Sequence, residues 1–286
     1  MSLREDIMFH VCKMSAEDYG FAVRLTDTKN WGFVEEDFKF MTELEPEGCF
    51  TLFSGSEKVG IVTSISFGLI GWLGTLIVEE KHRRMGGASQ LVRHVIDYLT
   101  GKGVETVGLY SYLDAMRFYG KFGFKYDATF TVFEGKPHKM QVKSSIKEAK
   151  AEDLQRIIAY DSLCLNTSRK KLIKAIFHKT KSLCYFYAEN GLVRGYVMAK
   201  VYDGLAEIGP LICNRERGEV AIDLIKTVFN QINGYHATLC IPKNESVLKD
   251  FLVNCGFKES FDVARMFLKQ ANLKDCIYVA ESLERG

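Results

Sequence analysis

No CxxC pair occurs anywhere in the 286 residues. The eight cysteines, Cys12, Cys49, Cys164, Cys184, Cys213, Cys240, Cys255 and Cys276, stand at least fifteen residues apart. They offer neither zinc-ligand spacing nor a redox dithiol. Most have apolar neighbours, as buried thiols do, and read as reduced core residues of a cytoplasmic protein. The six histidines show no ligand spacing either, so no metal is expected. Long apolar runs are missing too. The longest, GLIGWLGTLIV, falls far short of the roughly 20 residues that cross a bilayer, which argues against a membrane span. The N-terminal MSLREDIMFHVCKMS lacks the apolar core of a secretory leader. Nor does one sign of charge dominate: 38 Lys and Arg face 36 Asp and Glu, a net charge of +2. That balance gives no reason to expect a nucleic-acid partner, and any basic site must be local.

The chain does contain a repeat. Ala16-Glu17-Asp18 lies over Ala151-Glu152-Asp153, Gly60 over Gly195 and Gly74 over Gly209, all offset by 135. Further on, Phe118 lies over Phe251 and Gly123 over Gly256, offset by 133. A register that drifts so little over the chain points to two copies of one fold. The polar EGKPHKM, residues 134–140, holds one of only four prolines and reads as the linker. The expected domains are 1–137 and 138–286.

Periodicity gives the elements of the first copy. MFHVCKM is a short strand, and Ser15, three residues before Asp18, starts a helix as a capping box does. Residues 35–44 read as helical. CFTLFS and VGIVTSISFG alternate as a hairpin around GSEK. WLGTLIV is apolar on both faces, as a buried strand is. Leu91, Val95 and Leu99 form one stripe of a helix over 88–100, with Val92 and Ile96 beside it. TVGLY is a strand, AMRFYGKF a short helix ended by Gly123, and FTVF the closing strand. The order is strand, helix, helix, three strands, helix, strand, helix, strand.

EEKHRRMGGASQLVRHVI, residues 79–96, carries the chemistry. It joins a buried strand to a helix whose first N–H groups are unpaired and whose end is partly positive, a natural anion site. Gly86, Gly87 and Ala88 admit close approach to the backbone. Arg83 and Arg84 can grip phosphate oxygens. The nucleoside-triphosphate loop GxxxxGK[ST] is absent, and so is GxGxxG after a first strand. By itself the segment could equally be a surface turn with solvated arginines.

Arg83-x-x-Gly86-x-Ala88 resembles the R/Q-x-x-G-x-G/A motif of the GCN5-related N-acetyltransferase (GNAT) superfamily, and AMRFYGKFGF resembles its A-x-x-F-Y-x-K-x-G-F motif. WGFVEEDF and LEPEGCF resemble members with two tandem modules. IGPLIC, NCGF and VARMF resemble the second module of such members. The likeness spans nearly the whole chain. It implies an α/β (α+β) protein of two tandem GNAT folds, each a mixed, mostly antiparallel central sheet flanked by helices. It also implies an enzyme that moves an acetyl group from acetyl-CoA to a primary amine, without a metal.

On that resemblance, the strand backbone at Leu76, Ile77 and Val78 pairs with the pantetheine arm. The loop Arg83, Arg84, Met85, Gly86, Gly87, Ala88 and Ser89 holds the pyrophosphate. Tyr119 falls on the motif tyrosine, whose phenol, with an ordinary pKa of about 10, can protonate the leaving sulfur. The same ring could simply belong to a core with Phe118, Phe122 and Phe124. Glu79, Glu80, Asp114, Glu35, Glu36 and Asp37 are candidates for the base, although each could be a solvated surface carboxylate. Trp31, Phe33 and Trp72 could line the acceptor pocket together with Glu79 and Asp114, or be core aromatics. Tyr112 stands where an asparagine often helps to bind coenzyme A, and Arg84 where glycine is common.

The second copy keeps Arg215-x-x-Gly218, but its loop is three residues shorter. Val220 replaces a small residue, and Leu252 stands at the tyrosine position. The expectation is a silent module supporting an active first copy, with the tail DCIYVAESLERG unplaced. A non-catalytic acyl-CoA-binding sensor or scaffold is the alternative. The acceptor, a small molecule or a peptide amine, is left open, as is the choice between monomer and homodimer.

Overall fold

The structure, a computed structural model, describes residues 9–143, 145–179 and 181–286. The first eight residues, part of the segment examined above for a leader, lie outside the described residues. The chain forms two compact units, one ending at Leu109 and one running from Tyr110 to Glu284.

In the first unit the order is β1 (Phe9–Lys13), α1 (Tyr19–Asp27), α2 (Glu35–Leu44), β2 (Phe50–Ser54), β3 (Glu57–Ser66), β4 (Ile70–Val78), α3 (Gly87–Gly101) and the start of β5 (Thr106–Tyr112). The Ser15 N–H donates to the Asp18 carboxylate at 2.8 Å, the backbone half of the expected capping box, and a single tight turn leads into α1. β1 to β4 pair antiparallel in chain order. Leu91, Val92, Val95 and Leu99 of α3 are fully buried, as the helical stripe requires. α1 and α2 close another core of Ala22, Leu25, Phe38 and Met41 against Ile61 and Ile77.

β4 carries a feature the pattern could not show. Its register with β3 runs Gly60–Val78 and Ile61–Ile77, then jumps to Thr63–Gly74. The slip is a bulge, with Thr75 at φ 46°. The Thr63 hydroxyl donates to the Thr75 hydroxyl at 3.1 Å and holds it there. On its other side β4 runs parallel to β5 only over Ile70–Trp72, against Thr106–Gly108. A bulge turns a strand away from its neighbour.

The second unit contains α4 (Met116–Gly120), β6 (Lys125–Gly135), β7 (Ile146–Glu148), α5 (Leu154–Leu165), α6 (Lys170–His178), β8 (Ser182–Glu189), β9 (Leu192–Val201), β10 (Leu205–Cys213), α7 (Gly218–Gln231), β11 (His236–Pro242), α8 (Ser246–Asn254), β12 (Lys258–Phe267) and β13 (Ile277–Val279). From β7 to β12 it repeats the expected element order, and β13 is extra. The sheet order is β12, β6, β11, β10, β9, β8, β7. β10 and β11 are parallel over Leu205–Glu207, and the other pairs are antiparallel. β6, which closes the first copy in the sequence, lies between β11 and β12 of the second. The unit boundary therefore falls before β6, at Leu109, whereas the repeat boundary falls after it. The Ala264-Arg265-Met266 segment is part of β12, laddered onto β6. Among the described residues no helix is long and apolar enough to cross a membrane.

Candidate active site

The expected anion loop follows β4. Glu79 N–H donates to the Val59 carbonyl at 2.8 Å, so the chain stays tied to β3 as it leaves the strand. A tight turn over Glu80–His82 follows, and then Arg84 and Gly86 take left-handed backbone at φ 63° and 95°. α3 begins at Gly87. Its first N–H groups have no carbonyl one turn back to bond. The partial positive charge of the helix end therefore faces the turn whose sequence carries Arg83 and Arg84.

The two glycines do different work. A Cβ on Gly86 would meet nothing within 4 Å, so this residue is there for its backbone conformation. A Cβ on Gly87 would lie 2.6 Å from Leu52 Cδ2, so this glycine lets α3 seat on β2. Met85 is half exposed at the tip of the turn. Ala88 and Ser89 follow at intermediate exposure.

Arg83 is anchored: its Nε donates to the Val78 carbonyl at 3.2 Å. That bond uses one backbone group at the end of β4, and Arg83 is otherwise exposed. Leu76 lies at the bulge and Ile77, paired with Ile61, just after it, both beyond the last β4–β5 pair at Trp72–Gly108.

Beside the loop is a cavity of about 780 Å³ between α1, the β2–β3 turn and residues 79–83. Its charged lining comprises Arg24, Lys29, Lys58, Lys81 and Arg83 with Glu17, Glu79 and Glu80. Lys58 is held by Asp18 at 2.6 Å and Lys81 by Glu57. Glu79 approaches His82 Nδ1 at 3.4 Å and Lys81 Nζ at 3.5 Å. Arg24 and Lys29 were not legible as cavity residues, because nothing in α1 and the turn after it shows that they lie next to a loop more than fifty residues away.

Of the expected acceptor-pocket residues, Trp31 and Phe33 come together, with ring centroids 6.4 Å apart, and both pack on the α1–α2 core. Trp72 is buried within β4, between Ile65 of β3 and Gly108 of β5. Glu79 lines the cavity. Asp114 is exposed, on a short turn of the second unit.

Tyr119 lies in α4 of the second unit and is buried, with Phe118 and Phe124 edge-on to its ring at 5.1 and 6.0 Å. Among the described residues no group hydrogen-bonds its hydroxyl. Burial pushes its phenol well above the ordinary tyrosine range, because a phenolate would be poorly solvated there. Of the two readings left open by the sequence, the packing is that of a core ring, and the phenol stays protonated there.

In the second copy β10 and α7 are joined by residues 214–217 alone, where residues 79–86 stand in the first. Val220 and Leu252 are buried apolar residues. Among the described residues no cluster of three or more His, Cys, Asp or Glu could hold a metal.

Two family profiles match the chain. "Acetyltransferase (GNAT) family" covers residues 16–124, and "Acetyltransferase (GNAT) domain" covers residues 157–277. Among solved structures, a Pyrococcus horikoshii protein assigned as an acetyltransferase aligns with TM-score 0.82 at 20% identity, over 97% of this chain and 96% of its own. A GCN5-related N-acetyltransferase from Sphaerobacter thermophilus aligns with TM-score 0.67 at 13% identity, over 94% and 98%. A tandem GNAT protein from the clavulanic acid biosynthesis pathway aligns with TM-score 0.64 at 12% identity, over 93% and 100%. At these identities the likeness is one of fold. No curated protein sequence matches the chain.

Proposed function

Since two GNAT acetyltransferase domains stand in tandem in this chain, we propose that it is an acetyl-CoA-dependent N-acetyltransferase acting on a primary amine, with the first copy active. The observation that carries this reading is the bulged β4, which leaves β5 after Trp72 and ends in a dicationic turn at the start of α3. Such a strand offers backbone partners to an amide-bearing arm, and such a turn offers N–H groups and guanidinium groups to a pyrophosphate. Both features suit coenzyme A, whose thioester supplies the acetyl group.

In this reading, Leu76 and Ile77 pair with the pantetheine arm, and Arg83 and Arg84 face the pyrophosphate with the N–H groups of residues 86–89. The cationic cavity under α1 takes the phosphorylated nucleotide end, with Arg24 and Lys29 supplying charge. Glu79, 3.5 Å from Lys81 Nζ, lines the cavity beside the loop. Tyr119, by its place in the motif, gives its phenolic proton to the departing thiolate, and the proton that the attacking amine loses restores it through solvent.

The test is a panel of small amines and amine-bearing peptides, read by release of the coenzyme A thiol. Amine-dependent release that collapses in Tyr119→Phe supports the reading. Binding of acetyl-CoA without turnover of any amine would favour a sensor or scaffold instead.

A further inference from the structure

The tail that the sequence left unplaced runs between β10 and β11. β13 pairs antiparallel with β10, Leu211 opposite Val279 and Ile212 opposite Ile277. Cys213 N–H donates to the Cys276 carbonyl at 3.0 Å, and on the other side Ala280 N–H donates to the Cys240 carbonyl of β11 at 2.9 Å. β10 and β11 are parallel only over their first residues, as β4 and β5 are, and the tail occupies the split beyond. Through the repeat offset of 135, Leu211, Ile212 and Cys213 correspond to Leu76, Ile77 and Val78.

Other contacts repeat the correspondence. Arg215, the surviving arginine of the second loop, donates from Nε to the Asp275 carboxylate at 2.8 Å and from Nη2 to the Ile277 carbonyl at 2.7 Å. Its guanidinium lies 4.2 Å from the Tyr278 ring centre. A tail carboxylate thus sits on the arginine of the second loop. Gly209, of the unexplained IGPLIC motif, makes room: a Cβ there would lie 2.1 Å from the Ala280 carbonyl oxygen. Behind it, Glu281 meets Lys200 at 2.9 Å, both buried.

We propose that residues 275–280 occupy, in the second copy, the cleft that an acyl-CoA arm occupies in the first. The copy is closed to acyl-CoA by the chain's own tail, with β13 in place of pantetheine and Asp275 in place of a phosphate. This rests on the reading of β4 given above. The second copy is therefore silent by occupancy, in addition to lacking the motif tyrosine.

Hydrogen exchange on the intact protein is the first arm of the test. Amides of 276–280 should exchange slowly, with no change at saturating acetyl-CoA. Faster exchange there on adding acetyl-CoA would overturn a tail that stays in place. The second arm loosens the tail with Gly209→Ala or, should that variant not fold, Tyr278→Ala with Asp275→Ala, its release checked by trypsin cleavage in 269–274. Calorimetry should then show acetyl-CoA binding rise from one equivalent to two, the second event lost on adding Arg215→Ala. A cleavable tail with no second event would overturn the proposal. Each titration is repeated with Arg83→Ala and Arg84→Ala. Loss of the first event there, with the second retained, isolates the two clefts, and failure of the first event in the parent chain counts against the reading of β4 alone.

Discussion

Tyr119 and the two loop glycines show how much one residue can decide. Replacing Tyr119 by Phe keeps the ring and removes only the proton. We expect kcat to fall by about 10²–10⁴-fold, the range for a positioned acid, with acetyl-CoA affinity unchanged. The donor is the neutral phenol, and burial raises its pKa above the usual value of about 10. Its protonated range therefore extends upward, and kcat should not fall through pH 9–10 on this residue's account. A fall centred near 10 in the parent, absent in Tyr119→Phe, would contradict the burial argument. The glycines should separate stability from binding. Gly87→Ala presses a methyl against Leu52 and should cost about 1–3 kcal/mol in a denaturant melt, with affinity nearly kept. Gly86→Ala has space but the wrong backbone, at about 1–2 kcal/mol, and should weaken acetyl-CoA binding by reshaping the turn. The sequence pointed to both glycines for one reason, close ligand approach. It could not separate them, because the Leu52 side chain comes from a strand some thirty residues earlier.

Among the elements, those set by local pattern were legible and those set by partners were not. The α3 stripe, the β2–β3 hairpin and the Ser15 start all follow from spacing that one stretch of chain carries by itself. The β4 bulge does not, because Thr75 is extra only relative to β3, and a run such as WLGTLIV looks continuous. The place of β13 escaped for the same reason: a strand in the tail could be suspected, but the gap between β10 and β11 that it fills could not. The buried Lys200–Glu281 pair tests how firmly that strand is held. Lys200 also pairs with Glu207 at 2.7 Å, so Lys200→Met takes one ammonium group away from two carboxylates, one fully buried. A loss of about 3–5 kcal/mol is expected in chemical denaturation, more than a surface pair could give. A change below about 1 kcal/mol would mean that the tail is loosely seated.

For the molecule as a whole, the internal repeat was readable from its offsets, yet the boundary it implies is not where the contacts divide. β6 belongs to the first copy by sequence and is laddered on both sides by strands of the second. A strand's partners are a tertiary matter, and a repeat in the sequence carries no information about which copy supplies them. A fragment of residues 138–286 would leave β11 and β12 without the strand between them and should aggregate through those open edges. A fragment of residues 110–286 keeps β6 and should be the more soluble and cooperative of the two, by gel filtration and thermal melt. Equal behaviour would contradict the role given to β6. The central claim is that the turn after β4 in the first copy holds the phosphates of acetyl-CoA. Calorimetric titration of the intact protein tests it most directly, beside Arg83→Ala with Arg84→Ala. The account predicts one equivalent bound, weakened by tenfold or more in the double variant, since hydrogen bonds to charged groups are worth about 1.5–3 kcal/mol each. Unchanged affinity in the variant, or no binding by the parent, would contradict it.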